Sequence, residues 1–157
     1  MQSFPHRYRV DAHATHEGTV AIGSAGLETL ATAPPREFDG PGDRWSPETL
    51  LVASVVDCFV LTFRAIARAS SLEWIQLDCE GDGELDRVDR TTRFTRIALR
   101  ASLEVPAATD SEKAGRLLEK AERTCLITNS LACPVELEVR VTTAHTPRET
   151  AATSVRS

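Results

Sequence analysis

Residues 46–70 read SPETLLVASVVDCFVLTFRAIARAS, and this stretch decides the architecture. Ser46 is a good N-cap, and Pro47 suits the first helical position. Glu48 sits where the positive end of the helix dipole favours a carboxylate. The pattern predicts a helix from Ser46 to about Ser70. Val52, Val55, Val56, Phe59, Val60, Phe63 and Ile66 fall on more than one face, so the helix is expected to be buried nearly all round. A helix of that kind needs a sheet or another helix on each side. The apolar stretch from Leu50 to Ala67 is interrupted by Asp57, Thr62 and Arg64, and reads as too polar and too short to span a bilayer. Cys58 stands at the centre of the helix.

Upstream, residues 34–45 read PPREFDGPGDRW. The prolines and glycines predict a loop of about a dozen residues without regular structure, a length that inside a compact domain tends to be functional. Before it, Arg7 to Ala14, Thr19 to Gly23 and Leu27 to Thr32 are β-compatible, with Gly18, Gly23 and Gly26 at the turns, which predicts a hairpin or three-stranded meander. Downstream, Trp74 to Leu85 and Arg93 to Val105 alternate apolar with polar residues and read as strands, joined by the polar connection DRVDRTT. Asp110 is placed to cap a second helix, Ser111 to about Thr124, in which Leu117, Ala121 and Cys125 share one face. Val135 to Val141 forms a final alternating strand. Strands, a long helix, two strands, a helix and a strand argue for an α+β fold. The expected organisation is one domain over residues 1–144 and a polar, frayed tail over residues 145–157.

Composition narrows the function. The 157 residues carry 18 Lys+Arg against 23 Asp+Glu, a net charge of -5, and aromatics make up only 5%. A phosphate-backbone binder and a base-stacking platform are both disfavoured, so no nucleic-acid partner is expected. The opening MQSFPHRYRVDAH has no apolar core of a secretory signal, so a cytoplasmic protein with no membrane partner is expected. Four cysteines in a reducing compartment are then buried, catalytic or redox-active rather than a disulfide framework. No CxxC occurs, and His6, His13, His16 and His145 show no ligand spacing, so neither a metal nor an organic cofactor is expected. On residue type alone, Cys58 and Cys125 read as core thiols. Glu48 reads as a helix-start acid and Arg36 as a solvated charge. Asp57 would raise the Cys58 pKa if it pointed inward, and is expected to face elsewhere or to pair with an arginine.

The run SPETLLVASVVDCF, with its acid ten residues before a helix-centre cysteine, resembles the OsmC/Ohr family of thiol peroxidases. The upstream PPREFDGPG and the downstream AERTCLITNSLACPVELEVRV resemble the same family, in the same order, over roughly Arg7 to Val141. The resemblance implies an intertwined homodimer that reduces organic hydroperoxides. It implies that Cys58 attacks the peroxide and becomes a sulfenic acid, and that Cys125 condenses with it to a disulfide. A dithiol or lipoyl-type reductant then reopens that bond. Arg36 matches the arginine that activates the attacking thiolate, and Glu48 the acid that orients the arginine. Phe38, Trp45 and Phe59 are expected to form an apolar substrate lining. Ten residues of helix span about 15 Å, so Glu48 cannot reach the Cys58 of its own helix and is expected to serve the partner chain. Ohr-type members carry an arginine where ATHEGTV places His16 or Glu17, so the OsmC branch is the better match. LITNSL follows Cys125 where peroxidase members often show Cys-Pro. Cys79 and Cys133 read as structural, with Cys133 a candidate substitute resolver. A protein of this fold that binds a small apolar ligand, with incidental thiols, is the alternative function.

Overall fold

A computed structural model describes residues 3–144. The tail expected to fray from His145 lies outside the described residues. The chain divides into two compact units, Met1–Ala53 and Ser54–Ser157.

The first unit carries the expected meander in shortened form. Strands β1 (Asp11–His13), β2 (Val20–Gly23) and β3 (Leu30–Thr32) pair antiparallel in that order. The loop that follows is closed at its neck, where the Ala33 N–H donates to the Trp45 carbonyl at 3.0 Å. Inside it Arg36–Phe38 makes one turn of 3-10 helix, a correction to the expected lack of regular structure. Gly40 makes this turn possible. Any Cβ there would collide with the Pro34 carbonyl, while the Gly40 N–H donates to the Pro35 carbonyl. Among the described residues of this unit Ala33 is the one buried hydrophobic side chain; Phe4, Tyr8, Val10 and Leu27 are exposed.

Helix α1 runs Pro47–Ala69, with the predicted cap. The Thr49 N–H donates to Ser46 Oγ at 3.2 Å, and the Ser46 N–H donates back to Thr49 Oγ1 at 2.9 Å. The two side chains satisfy amides that helix geometry leaves unpaired. Burial corrects the sequence reading. Only Val55, Phe59, Phe63 and Ala67 are buried, one stripe at four-residue spacing. Val56, Val60 and Ile66 are only partly buried against the core, and Leu61 is exposed, so among the described residues the other apolar faces of the helix are covered incompletely. By length and composition alone α1 could cross a membrane, where the sequence had read as too short and too polar.

In the second unit, β4 (Gln76–Val88) and β5 (Thr91–Val105) form a long antiparallel hairpin. The connection expected over DRVDRTT is mostly strand. Asp89 and Arg90 alone make the turn, both at positive φ (50° and 67°), the conformation that suits a two-residue hairpin loop. Helix α2 (Ser111–Thr124) starts where expected, the Asp110 carboxylate accepting from the Lys113 N–H at 3.0 Å. It crosses over to β6 (Val135–Thr143), which lies parallel to β5. Alternation along β5 sends Ile97, Leu99, Ala101, Leu103 and Val105 into the core with the buried stripe of α1 and with Ala114, Leu118 and Ala121 of α2. The opposite face carries charges. Arg96 pairs with Glu84 and Glu136, and Arg100 with Glu80 and Asp82. These half-exposed pairs add little stability. The core holds the unit together and fixes where α1 and the end of α2 meet.

Candidate functional site

That meeting point brings two sulfurs together. Cys58 projects from the middle of α1, one position from the buried Phe59 and so about 100° around the helix from it. Cys125 is the C-cap of α2 and is fully buried. The chain turns directly after it. Ile127 is helical, and Thr128–Ser130 forms a short 3-10 helix whose Asn129 N–H donates to the Cys125 carbonyl at 3.0 Å. This turn aims amide groups back at the sulfurs. Cys58 Sγ neighbours Cys125 and the Ile127 amide and lies 4.0 Å from Thr62 Oγ1. Both thiols are free.

The two sulfurs differ in charge. Burial pushes the Cys58 thiol up, as does the neighbouring Cys125; the Ile127 N–H and Thr62 oppose this only partly. Burial also works against charge on Cys125. There, however, the Thr128 hydroxyl, Cys58 and the amides of Thr128 and Ile127 outweigh it and hold the thiol below its ordinary range. Among the described residues no cation is among the groups that shift either thiol.

A groove of about 640 Å³ opens over Cys58, lined by Asp57, Leu61, Thr62, Ile66, Leu126 and Ile127 among others. It is mainly apolar, with Leu61 and Leu126 exposed. Asp57 stands exposed on its border, turned away from the interior as expected, and is not among the groups that shift the Cys58 thiol.

The remaining predicted residues fall elsewhere. Phe59 is in the core and does not line the groove, because its neighbour on the helix does. Arg36 is exposed and lies across Gly42, whose φ of +71° and missing Cβ leave room for it. Glu48 has one carboxylate oxygen, Oε2, buried with no hydrogen-bond partner among the described residues. No ion pair joins Glu48 to Arg36 within the chain. Phe38 and Trp45 are half-exposed, and Trp45 borders a second groove of about 510 Å³ in the first unit with Leu30, Arg44 and Thr49. Cys79 packs against the core, and burial first, then Glu80, pushes its thiol up to about 11. Cys133 also packs against the core. Among the described residues no group of three or more His, Cys, Asp or Glu could hold a metal ion. The sequence reading missed Thr128. A hydroxyl three residues after a cysteine at a helix end was the available signal.

Fold and site together define a small α+β protein with two neighbouring free thiols, Cys58 half-buried and Cys125 buried. Residues 40–140 match the family model described as OsmC-like protein, and the chain belongs to the OsmC family. It is 29% identical over 108 residues to the uncharacterised protein YmaD of Bacillus subtilis, covering 67% of this chain and 72% of the relative. It is 26% identical over 125 residues to the peroxiredoxin OsmC of Escherichia coli, covering 80% and 86%. Among solved structures, it superposes on an OsmC-like protein of unknown function from Vibrio cholerae with a TM-score of 0.80 at 15% identity, covering 86% of this chain and 99% of that one. It superposes on the organic hydroperoxide resistance protein OsmC of Legionella pneumophila with a TM-score of 0.70 at 24% identity, covering 89% and 99%. These likenesses establish the OsmC-like fold. Proteins of the family are generally soluble.

Proposed function

We propose that this protein is a cysteine-dependent peroxidase that reduces organic hydroperoxides in the cytoplasm. The observation that carries this reading is the pair of free cysteines, distant in sequence and neighbours in the fold, with Cys58 lining an open apolar groove. The Cys58 sulfur attacks the terminal peroxide oxygen and the O–O bond breaks. The alcohol leaves and Cys58 becomes a sulfenic acid. The Cys125 sulfur then attacks the Cys58 sulfur, an S–S bond forms, and the hydroxyl leaves as water after taking a proton from solvent. An external dithiol, lipoyl-type or small, exchanges with the disulfide and restores both thiols. The step needs no bound metal or organic cofactor. An apolar groove favours alkyl over hydrogen peroxide because only the former has surface to bury.

The working unit in this reading is a homodimer. The uncovered apolar side of α1 and the exposed Phe4, Tyr8, Val10 and Leu27 of the first unit support it. Arg36 and Glu48 of one subunit then serve Cys58 of the other, with Phe38 and Trp45 closing the groove from the partner's side. The partnerless Glu48 oxygen and the lack of any cation acting on Cys58 agree with that division. A guanidinium brought to the groove would stabilise the Cys58 thiolate and the departing alkoxide. Sedimentation of the native protein should give a dimer.

The decisive test is single-turnover oxidation. One equivalent of cumene hydroperoxide should consume two thiols per chain and link Cys58 to Cys125, and Cys58→Ser should abolish the reaction. Thiols left intact would sink the peroxidase reading. The groove would then be read as a binding site for a small apolar ligand, which its open apolar lining also fits.

A further inference from the structure

The groove over Cys58 carries charge of one sign. Among the described residues that line it, Asp57 is the one charged side chain; the others are apolar, apart from the hydroxyls of Ser54 and Thr62 and the thiol of Cys58. Asp57 and Cys58 are consecutive on α1, their Cα atoms about 3.8 Å apart. Asp57 is exposed and joins no ion pair among the described residues, so its carboxylate stands in water at the mouth of the groove. It leaves the thiol itself unshifted, and its field falls on whatever approaches the sulfur. Other charges are more distant or already balanced. Arg64 and Arg68 are exposed on the same helix. They stand about 9 Å and about 15 Å past Cys58 along the axis, near or beyond the range at which physiological salt screens an exposed charge. At the end of α2, Arg123 is paired with Glu119 at 4.0 Å, and neither it nor the half-buried Glu122 lines the groove. In the dimeric reading Arg36 arrives together with Glu48, a pair whose charges cancel. Asp57 then leaves the mouth with one negative charge in excess.

We propose that Asp57 is a specificity-determining residue that makes the Cys58 groove select uncharged organic substrates over those carrying a negative charge close to the reacting atom. The inference deepens the peroxidase reading, and rests on it for the substrate class: a neutral alkyl or aryl hydroperoxide. The apolar body of such a molecule finds surface along Leu61, Ile66 and Leu126, where burial of hydrocarbon is favourable. Its peroxide group reaches the sulfur without taking a charge past the carboxylate. An anion of the same shape has to bring its charge within a few ångströms of Asp57. Like charges at that range near a protein surface repel strongly enough to slow reaction several-fold, and less so as salt is added. Apolar lining alone selects for hydrocarbon; the carboxylate adds a selection by charge that the lining cannot make.

The test uses two alkylating reagents of nearly one shape, neutral iodoacetamide and anionic iodoacetate, on the reduced, full-length protein at low salt. Both alkylate the Cys58 sulfur by displacing iodide. The ratio of their rates, read at Cys58 by peptide mass spectrometry, therefore cancels any change in the thiol itself. Asp57→Asn should raise the iodoacetate-to-iodoacetamide ratio about threefold or more. Asp57→Glu should keep the native ratio, and the gap between the native and asparagine proteins should close as salt rises to about 0.5 M. If Asp57→Asn does not fold, Asp57→Ser reads the same effect. A smaller rise in a natively folded neutral variant would overturn the inference, as would a gap that salt does not narrow. Hydroperoxides form the second arm. The native protein should reduce cumene hydroperoxide faster than its ring-carboxylated analogue, and Asp57→Asn should narrow that preference by a like factor; an active enzyme whose preference stays unmoved would also overturn the inference. The two readings fail separately. A protein inert to both peroxides but with the expected alkylation ratios loses only the peroxidase assignment. An active peroxidase whose alkylation ratio ignores Asp57 loses only the role of Asp57.

Discussion

Linking Cys58 to Cys125 closes a loop of about 70 residues, and the entropy this removes from the unfolded chain is worth about 4 kcal/mol. Strain in the folded state normally erodes such a gain. Here the two cysteines are already neighbours in the fold, so closing the bond asks for a local side-chain adjustment rather than a rearrangement of elements. Cys58 is held by a core stripe that includes the fully buried Phe59 and Phe63, and Cys125 by the end of α2. Neither element has to leave its place. For a chain of this size each kcal/mol moves Tm by about 2–4 °C. The oxidised protein should therefore melt about 8–16 °C above the reduced protein. Differential scanning calorimetry on protein treated with one equivalent of cumene hydroperoxide, with and without dithiothreitol, measures the difference. Cys58→Ser and Cys125→Ser should each remove it. If mass spectrometry finds the Cys58–Cys125 bond and the oxidised protein melts no higher than the reduced one, the placement of the sulfurs argued above is wrong.

Phe63→Ala should cost about 3–5 kcal/mol in urea unfolding, since Phe63 is fully buried and its ring meets Trp74 edge-on at 5.6 Å; a loss under 1 kcal/mol would contradict its place in the core. Gly42→Ala should lower hydroperoxide turnover at least tenfold while costing only about 1–2 kcal/mol of stability, because it strains a residue at φ +71° and displaces the Arg36 side chain lying over it; unchanged turnover would detach Arg36 from the chemistry. Cys79 predicts a pH effect. Its folded pKa of about 11 lies above the ordinary thiol value of 9.0, so between those values the unfolded chain releases a proton that the folded chain retains. Stability contributed below pH 9 should therefore drain away towards pH 11, by up to about 2 kcal/mol. Urea midpoints measured across that range should flatten in Cys79→Ala, and equal slopes in both proteins would refute the assignment.

The helix ends were readable because capping is local. Ser46 and Asp110 each satisfy amides within three residues of themselves. Strand β5 was readable because its alternation is long. The β4–β5 turn was hidden because Asp89 and Arg90 are not the Asn-Gly or Asp-Gly pair that announces two residues at positive φ, and the polar DRVDRTT looks like a loop wherever its strands stop. The burial of α1 was misjudged for a different reason. Apolar residues on every face show that a helix avoids water, but not that its own chain supplies the cover. Membership of the OsmC family was legible in the order of three segments. That Cys58 and Cys125 meet was not legible in the residues themselves, since it depends on how α2 and the turn after Cys125 pack against the centre of α1.

The long β4–β5 hairpin also shapes how the protein acquires its structure. Its thirteen-residue and fifteen-residue strands meet across a two-residue turn, so their pairing can zip from that turn on the microsecond scale. The parallel strand β6 must wait until α2 has crossed over, a contact made at much greater separation along the chain. A sequence better suited to the turn, such as Asn-Gly at 89 and 90, should therefore speed refolding and leave the rate of unfolding nearly unchanged.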